Sequence, residues 1–315
     1  MKIVLKGIKL RIYPSKEQQT SIKLNFGYNR FVWNQMLGML QERYVNNPKL
    51  PFPSTFTLNN LLPTIKIEYP WLKDAESKSL QITCKNLVDS YKKAFKRHGG
   101  FPKFKSKKYP KQSYQTNYPI RIVENKVKFP KLGYMKFKGS SKKIDEITKI
   151  KLGTIKFTPM GKYYLVLIAE CENQALRKTS KQVGIDMGLA DLMITSDGVK
   201  YPAIRFDKII AKKKHYWEKR LSRRRLQAQE LLAWDKHNKV LNPRELDDFK
   251  NYQNAKTMVA KYSEKIANQR SNYLHLLTRQ LVEQYDIIKI EDLKAKNLMH
   301  NHKLARAIAN ASSYF

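Results

Sequence analysis

Acidic residues are scarce in this 315-residue chain: 26 Asp and Glu stand against 62 Lys and Arg, a formal net charge of +36. Solubility requires nothing near that excess, so a polyanion is the expected partner. Duplex DNA and RNA fit best, because each phosphate neutralised by Lys or Arg releases condensed counterions. Cysteine is scarcer still. Cys84 and Cys171 form no Cys-x-x-Cys pair, which argues against a disulfide framework and against a zinc site within the chain. That usage suits a reducing cytosol, and a cytoplasmic location is expected. No apolar run reaches the roughly 18 residues of a membrane span, so no membrane partner is expected. The opening Met1-Lys2-Ile3-Val4-Leu5-Lys6 lacks the apolar core and cleavage site of a secretory signal. Internal repeats and low-complexity segments are also missing. What is present, 42% hydrophobic and 11% aromatic residues, is enough for packed cores, and the length suggests two domains or one elaborated one.

Ile8, Leu10 and Ile12 alternate with Lys9 and Arg11, the period of a strand with one buried face. Ser15-Lys16-Glu17-Gln18 has capping-box spacing and predicts a helix through Leu24 and Phe31 to about Tyr44. Asn46 to Pro53 reads as a loop, with helices resuming near Thr57 and from Ala75 to Lys96. The stretch Gly99 to Lys108 is too basic and too punctuated for a packed helix and predicts an exposed loop. From Ile120 to Glu172 the pattern is β, with hairpins at Arg121–Phe129 and Thr154–Ile168. Polar residues 173–182 mark the boundary between domains 1–178 and 179–315. Strands Val183–Asp186 and Leu192–Thr195 follow, then helices from Asp207 to Leu232 and Tyr252 to Tyr285. A strand Ile287–Ile290 and a short helix Leu304–Ala311 end the pattern.

Two acids stand where chemistry can be done. Asp186 ends an apolar strand beside Gly184 and Gly188, where a carboxylate points from the sheet rim and glycines leave room for a phosphate. An acid capping a strand is also what ordinary turn chemistry favours. Glu291 repeats the arrangement directly after Ile287–Ile290, and alternation lets only one of Glu291 and Asp292 join Asp186. Paired carboxylates on neighbouring strand ends repel unless a cation sits between them, which makes Asp186 and Glu291 the candidate catalytic and Mg²⁺-binding pair. Phosphodiester hydrolysis with two ions usually needs a third or fourth acid as well.

The basic clusters supply the candidate binding surface. They comprise Lys92, Lys93, Lys96 and Arg97, then Lys103, Lys105, Lys107, Lys108 and Lys111, then Lys212, Lys213, Lys214, Lys219, Arg220, Arg223, Arg224 and Arg225. Solvated helix faces ordinarily carry both signs, whereas these runs are almost unrelieved by acids. Among them lie Tyr91, Phe95, Phe101, Phe104, Tyr109, Tyr114, Tyr118, Tyr216 and Trp217, which either stack on unpaired bases or belong to the core. The six histidines show no metal-ligand spacing.

These residues resemble a known family. Lys9-Leu10-Arg11-Ile12-Tyr13-Pro14 with Gln18-Gln19, Gly27-Tyr28-Asn29-Arg30-Phe31-Val32-Trp33-Asn34 and Gly100-Phe101-Pro102-Lys103-Phe104-Lys105 look like the N-terminal half of TnpB (OrfB) transposon proteins, relatives of compact type V CRISPR nucleases. Val183–Leu189 looks like the first RuvC motif and Ile290-Glu291-Asp292-Leu293 like the second. Lys265–Arg270 with His275 and Leu276 resembles the long helix between them. The resemblance implies an N-terminal wedge-type β domain with a helical recognition insert at about residues 15–115. An α/β RNase H-like (RuvC) domain, incomplete at its C-terminus, would follow. It further implies a guide RNA from the transposon end, a double-stranded DNA target, Arg30 among the nucleic-acid contacts, and Mg²⁺-dependent cutting by Asp186 and Glu291. The family pattern continues past Ser312 into a zinc ribbon and a third catalytic acid, so impaired cleavage is expected. Two binding alternatives stand beside this reading. One is an RNA-guided repressor that holds DNA without cutting it, and the other an RNA-independent helix-turn-helix DNA-binding protein.

Overall fold

The computed structural model describes residues 2–108, 112–139, 141–173, 176–188 and 190–291. The chain divides into two compact units, residues 1–174 and 175–315.

The first unit opens with β1 (Lys2–Tyr13), which buries Ile8, Leu10 and Ile12 and leaves Lys9 and Arg11 on its other face. Pro14 ends the strand and Ser15 caps α1 (Lys16–Asn46). Gln18 N donates to Ser15 Oγ at 3.3 Å, and Ser15 N donates to Gln18 Oε1 at 2.9 Å. Both halves of the capping box are thus made. α2 (Thr55–Glu68) and α3 (Ser77–Phe95) pack on α1 around Val32, Met36, Leu58, Leu80 and Leu87. A buried polar network joins α1 to the start of α3. Thr83 Oγ1 donates to Asn29 Oδ1 at 2.6 Å, Asn29 Nδ2 to Ser79 Oγ at 3.0 Å, and Glu76 N to Asn25 Oδ1 at 3.1 Å. Such a network fixes one helix register because any slip leaves a buried polar atom unpaired. Residues 1–49 therefore hold one strand and one continuous helix. The connection 47–54 to α2 is longer than the turn of about 3–4 residues in a helix-turn-helix.

Beyond the basic loop come β2 (Gln112–Thr116), β3 (Arg121–Val123), β4 (Lys126–Phe129), β5 (Gly133–Lys138), α4 (Ser141–Asp145), β6 (Ile147–Phe157) and β7 (Tyr163–Asn173). They join β1 in a seven-stranded antiparallel sheet of order β2-β6-β7-β1-β5-β4-β3. Ile22 and Phe26 of α1 cover one face, against Leu10, Ile12, Phe129 and Leu165. β5 falls in the span Ile120–Glu172 read as β, though outside the two hairpins named there, whereas β2 is not among the strands expected from sequence. β2 buries only Tyr114 and Thr116 of a polar segment, so its apolar period is faint, and it begins inside the span expected for the helical insert.

The second unit runs β8 (Gln182–Met187), β9 (Asp191–Thr195), β10 (Lys200–Pro202), α5 (Phe206–Ile209), α6 (Ala211–His237), α7 (Lys250–Gln284) and β11 (Ile287–Ile290). Its sheet has the order β10-β9-β8-β11, in which β8 pairs antiparallel with β9 and parallel with β11. A parallel pair needs a crossover, and α5 to α7 supply it. Leu277 and Leu281 of α7 cover Val183, Ile185 and Leu192. At the far end of α6, Arg244 grips Asp235 with Nε at 2.8 Å from Oδ2 and Nη2 at 2.5 Å from Oδ1, tying the connection back onto the helix. The helix expected at Leu304–Ala311, together with Asp292, Tyr109 and Lys111, lies outside the described residues.

Candidate nucleic-acid interface and carboxylate pair

Asp186 sits near the end of β8 with its side chain exposed, between buried Ile185 and half-buried Met187. The parallel ladder pairs Ile287 with Gln182, Ile288 with Val183, Lys289 with Gly184 and Ile290 with Ile185. The next residues along the two strands are Glu291 and Asp186. Paired positions share a sheet face and adjacent strands lie about 4.8 Å apart, so the register brings both carboxylates to one face of neighbouring strand ends. Neither accepts a hydrogen bond nor pairs with a cation among the described residues. An exposed, unneutralised pair of hard oxygen ligands suits a divalent cation such as Mg²⁺. No cluster of three or more His, Cys, Asp or Glu side chains forms around it among the described residues. At Gly188 a Cβ would stand 2.8 Å from the Asp191 carbonyl oxygen, so the backbone there leaves no room for a side chain.

The basic residues of the first unit are sorted by how they are held. Lys92 and Lys93 occupy the exposed last turn of α3, and Arg97 adopts φ +56° just past it. Arg97 N donates to Ala94 O at 2.9 Å and His98 N to Lys93 O at 2.9 Å, the paired bonds of a Schellman cap. Lys96, Lys103, Lys107 and Lys108 are exposed. The loop carrying the last three is not free, because Trp33 Nε1 donates to Lys103 O at 3.0 Å. Asn34 clasps the Lys105 backbone from both sides, at 2.8 and 3.0 Å. Lys105 places its ammonium 3.5 Å from the Trp33 ring centroid. Although the residue is exposed as a whole, its charged end is enclosed, and burial pulls its pKa down to about 8. The indole face opposes that pull by favouring the cation. An open hollow of about 640 Å³ beside it is lined by Trp33, Asp89, Lys92, Lys93, Lys96 and His98. A second, of about 590 Å³, lies between α1, α3 and β2 and includes Asn29, Arg30, Asn86, Lys105 and Gln115. Arg30 is half-buried and donates to Gln112 Oε1 at 3.0 Å.

In the second unit, α6 buries only Ala228 and Asp235. Lys212, Lys213, Arg223 and Arg225 are exposed, while Lys214 lies 3.3 Å from Glu218. Arg220 stacks over Tyr216 and Trp217, with its carbon 5.5 and 5.2 Å from the ring centroids, and donates to the Tyr216 hydroxyl at 2.7 Å. With Arg223, Arg224 and Gln227 these residues frame a hollow of about 320 Å³. Guanidinium groups held over aromatic faces beside further cations are suited to phosphate and base together. Of the aromatics considered for stacking, Tyr91 and Tyr114 are buried in the cores, whereas Phe95, Phe101, Phe104, Tyr118 and Tyr216 stay exposed. Sequence reasoning missed Trp33 and Asn34 as anchors of the loop, since their partners lie some seventy positions away. No described helix is long and apolar enough to cross a membrane.

Two family models match the chain, one described as "Helix-turn-helix domain" over residues 1–49 and one as "Probable transposase" over residues 165–302, both of the OrfB IS605 type. A curated protein of Escherichia coli (strain K12), named "Putative RNA-guided DNA endonuclease InsQ", is 26% identical over 300 residues. The match covers 93% of this chain and 67% of that protein. A "Putative RNA-guided DNA endonuclease" of Streptomyces pristinaespiralis is 26% identical over 315 residues, covering 99% of this chain and 73% of its own length. Among solved structures, a chain of the "Cryo-EM structure of the Cas12f1-sgRNA-target DNA complex" aligns over 99% of this chain and 88% of that one. Its identity is 11% and its TM-score 0.39, a likeness too loose to carry an argument.

Proposed function

The chain belongs to the TnpB (OrfB) family of transposon proteins, and from that premise we propose that it is an RNA-guided DNA endonuclease whose nuclease centre is built on Asp186 and Glu291. The observation that carries the reading is the parallel β8–β11 register, which runs Asp186 and Glu291 to adjacent strand ends on one face. In this reading the second unit is an RNase H-like (RuvC) domain. Supporting it are the order β10-β9-β8-β11, antiparallel except at β11, and the crossover through α7. The first unit is the wedge-type β domain, with α1 to α3 as its helical recognition insert.

Asp186 and Glu291 would hold Mg²⁺, which when bound activates water and stabilises phosphoryl oxygens during phosphodiester hydrolysis. The protein's own part is positional. The β8–β11 ladder, which ends one residue before Glu291, would hold the two carboxylates side by side, and the exposed arginines of α6 would seat a phosphate backbone by forked hydrogen bonds. Lys92, Lys93, Lys96 and Arg97, with the pinned loop bearing Lys103, Lys105, Lys107 and Lys108, provide a second cationic edge. Guide RNA from the transposon end and double-stranded target DNA are the proposed partners for these two surfaces.

The test is to combine the chain with RNA from the flanking transposon end and assay Mg²⁺-dependent cutting of guide-matched DNA, with Asp186→Ala as control. Cutting that needs Asp186 is the expected result. RNA-dependent DNA binding with no cutting, unaltered by Asp186→Ala, would replace the nuclease with a guided repressor. Target affinity unchanged by ribonuclease would remove the RNA.

A further inference from the structure

Glu291 follows a strand whose own sequence does little to fix its register. Burial ordinarily sets register, because a slip of one residue carries every side chain to the other face of the sheet. β11 gives burial little to act on, since Ile287, Ile288 and Ile290 place apolar side chains on both of its faces. Of these, Ile288 is half-buried and packs on the core of Val183 and Ile185, whereas Ile287 and Ile290 are each 52% exposed. A slip of one residue would set Ile287 in the place of Ile288 and Lys289 in the half-open place of Ile290. Little apolar contact would be lost, yet Glu291 would leave the face it shares with Asp186.

The register is held instead where the chain leaves α7. Asp286, the residue before β11, accepts hydrogen bonds from Ser180 N at 2.7 Å, from Thr179 N at 3.0 and 3.1 Å, and from Thr179 Oγ1 at 3.3 Å. In return Asp286 N donates to Lys181 O at 2.9 Å. These partners are the three residues that lead into β8, so the entrance of one strand is tied to the entrance of the other. Ser180 adopts φ +59°, a left-handed conformation uncommon outside glycine, and successive backbone N–H groups converging on one anion make a specific seat. The amides of Thr179 and Ser180 hold the Asp286 carboxyl below its ordinary range. Beside it, the Tyr285 hydroxyl donates to Asp197 Oδ2 at 2.5 Å, in the turn that follows β9. A strand advances about 3.3 Å per residue, so a single slip would take Asp286 out of reach of both amides.

We propose that Asp286 is a positioning residue for the nuclease centre: its clasp on Thr179 and Ser180 selects the β8–β11 register that sets Glu291 on the face of Asp186. The inference rests on the reading of those two acids as the metal-holding pair, but the clasp is testable without any cutting.

Two measurements on the full chain test it. In the double variant Gly184→Cys/Lys289→Cys the new thiols stand opposite one another in the observed register, on strands about 4.8 Å apart and within the span of a disulfide. Oxidation should bridge them readily, and the yield should fall severalfold when Asp286→Ala is added. Mn²⁺ then stands in for Mg²⁺, its binding followed by the electron paramagnetic resonance of the free ion. The Mn²⁺ dissociation constant should rise about tenfold in Asp286→Ala, the usual consequence of removing a group that orients a ligand. Asp286→Asn keeps one oxygen able to accept from an amide and should recover much of both signals. Ser180→Gly keeps both amides and should match the parent. An unchanged bridge yield in Asp286→Ala would overturn the clasp, and a reduced yield with parental Mn²⁺ affinity would overturn its link to Glu291. Mn²⁺ binding indifferent to Asp186→Ala would instead overturn the carboxylate pair of the proposed function, with the bridge yield still deciding the clasp. Because Asp286 is exposed, the circular dichroism melt should stay near that of the parent, which separates a lost register from a lost fold.

Discussion

The two units carry charge of the same sign in different ways. α3 of the first unit buries a stripe running from Leu80 through Cys84, Leu87 and Val88 to Tyr91, and only its last turn and the cap beyond it present a dense basic group. α6 of the second unit is longer, yet it buries only Ala228 and Asp235 and is basic over much of its surface. The core of the first unit forms behind its cations, whereas that of the second is small and centred on Val183, Ile185, Leu277 and Leu281. The contrast teaches that a basic run predicts a polyanionic partner equally in both places but does not say whether a rigid support lies behind it. On this view the first unit has a packed core behind its cations, while α6 has chiefly α7 behind its own.

The sharpest break in the comparison comes from the acids. Asp186→Ala should lower cutting by about a thousandfold if the proposed metal ligand is the one removed, while RNA affinity and melting stay near the parent values. The side chain is exposed and makes no hydrogen bond or ion pair among the described residues, so stability has little to lose. Parallel cleavage, anisotropy and melting measurements check this, and a large drop in melting temperature would show that Asp186 is a folding residue.

Core truncations should then separate the units. Leu87→Ala removes a fully buried side chain from the α1–α3 core and should cost about 3 kcal/mol, within the range for such cavities. Leu281→Ala, which leaves a smaller core around it, should cost about 2 kcal/mol and shift a different part of the unfolding curve. Denaturant titration followed by limited proteolysis identifies which unit opens first. Identical fragment patterns from the two variants would mean that the units unfold as one.

Acid should reach the second unit through Asp235. Arg244 beside it holds the carboxyl down at about 2, by side-chain and backbone hydrogen bonds first and by its charge as well. Asp235 is shielded by its immediate neighbours yet lies at the tip of a helix pair near the surface, so screening moderates the effect. With the folded pKa below the ordinary carboxylate value of 3.8, the stabilisation is fully present above about pH 4. It is lost as pH falls through about 2. Asp235→Asn should remove that part of the acid transition, detectable by circular dichroism between pH 4 and pH 2. Persistence of the same acid midpoint in the variant would assign the transition elsewhere.

Much of this was legible where the signal is local. The capping box at Ser15, the alternation of Ile8, Leu10 and Ile12, and the strand Ile287–Ile290 all depend on neighbours within one or two turns of chain. Both carboxylates could be named from the apolar strands they follow, but their common face depends on a ladder between segments far apart in sequence. The Asp286 clasp was hidden for the same reason: Thr179 and Ser180 precede it by 107 and 106 positions. Lys105 reads as one more exposed cation of the loop, and it is exposed, but the seat of its ammonium on the Trp33 ring joins segments some seventy positions apart and leaves no local trace.

The smallest predicted effect tests whether the α3 cap is a binding device or a folding device. Arg97 holds φ +56°, a left-handed conformation that disfavours any residue with a Cβ and that helix C-termini usually assign to glycine. Both Schellman bonds are nonetheless made, from Arg97 N and His98 N. Arg97→Gly relieves the backbone cost and keeps those bonds, so it should raise the stability of the first unit by about 1 kcal/mol. If Arg97 contacts phosphate, the same change should weaken nucleic-acid binding and lower its salt dependence by about one counterion. Arg97→Lys separates the two effects, because it keeps the charge and the strain together. Should Arg97→Gly stabilise the fold without altering the salt slope, the arginine would be an uncommon cap residue and the interface would rest on Lys92, Lys93 and Lys96; a lowered slope would mean that backbone strain is tolerated there for the sake of a phosphate contact.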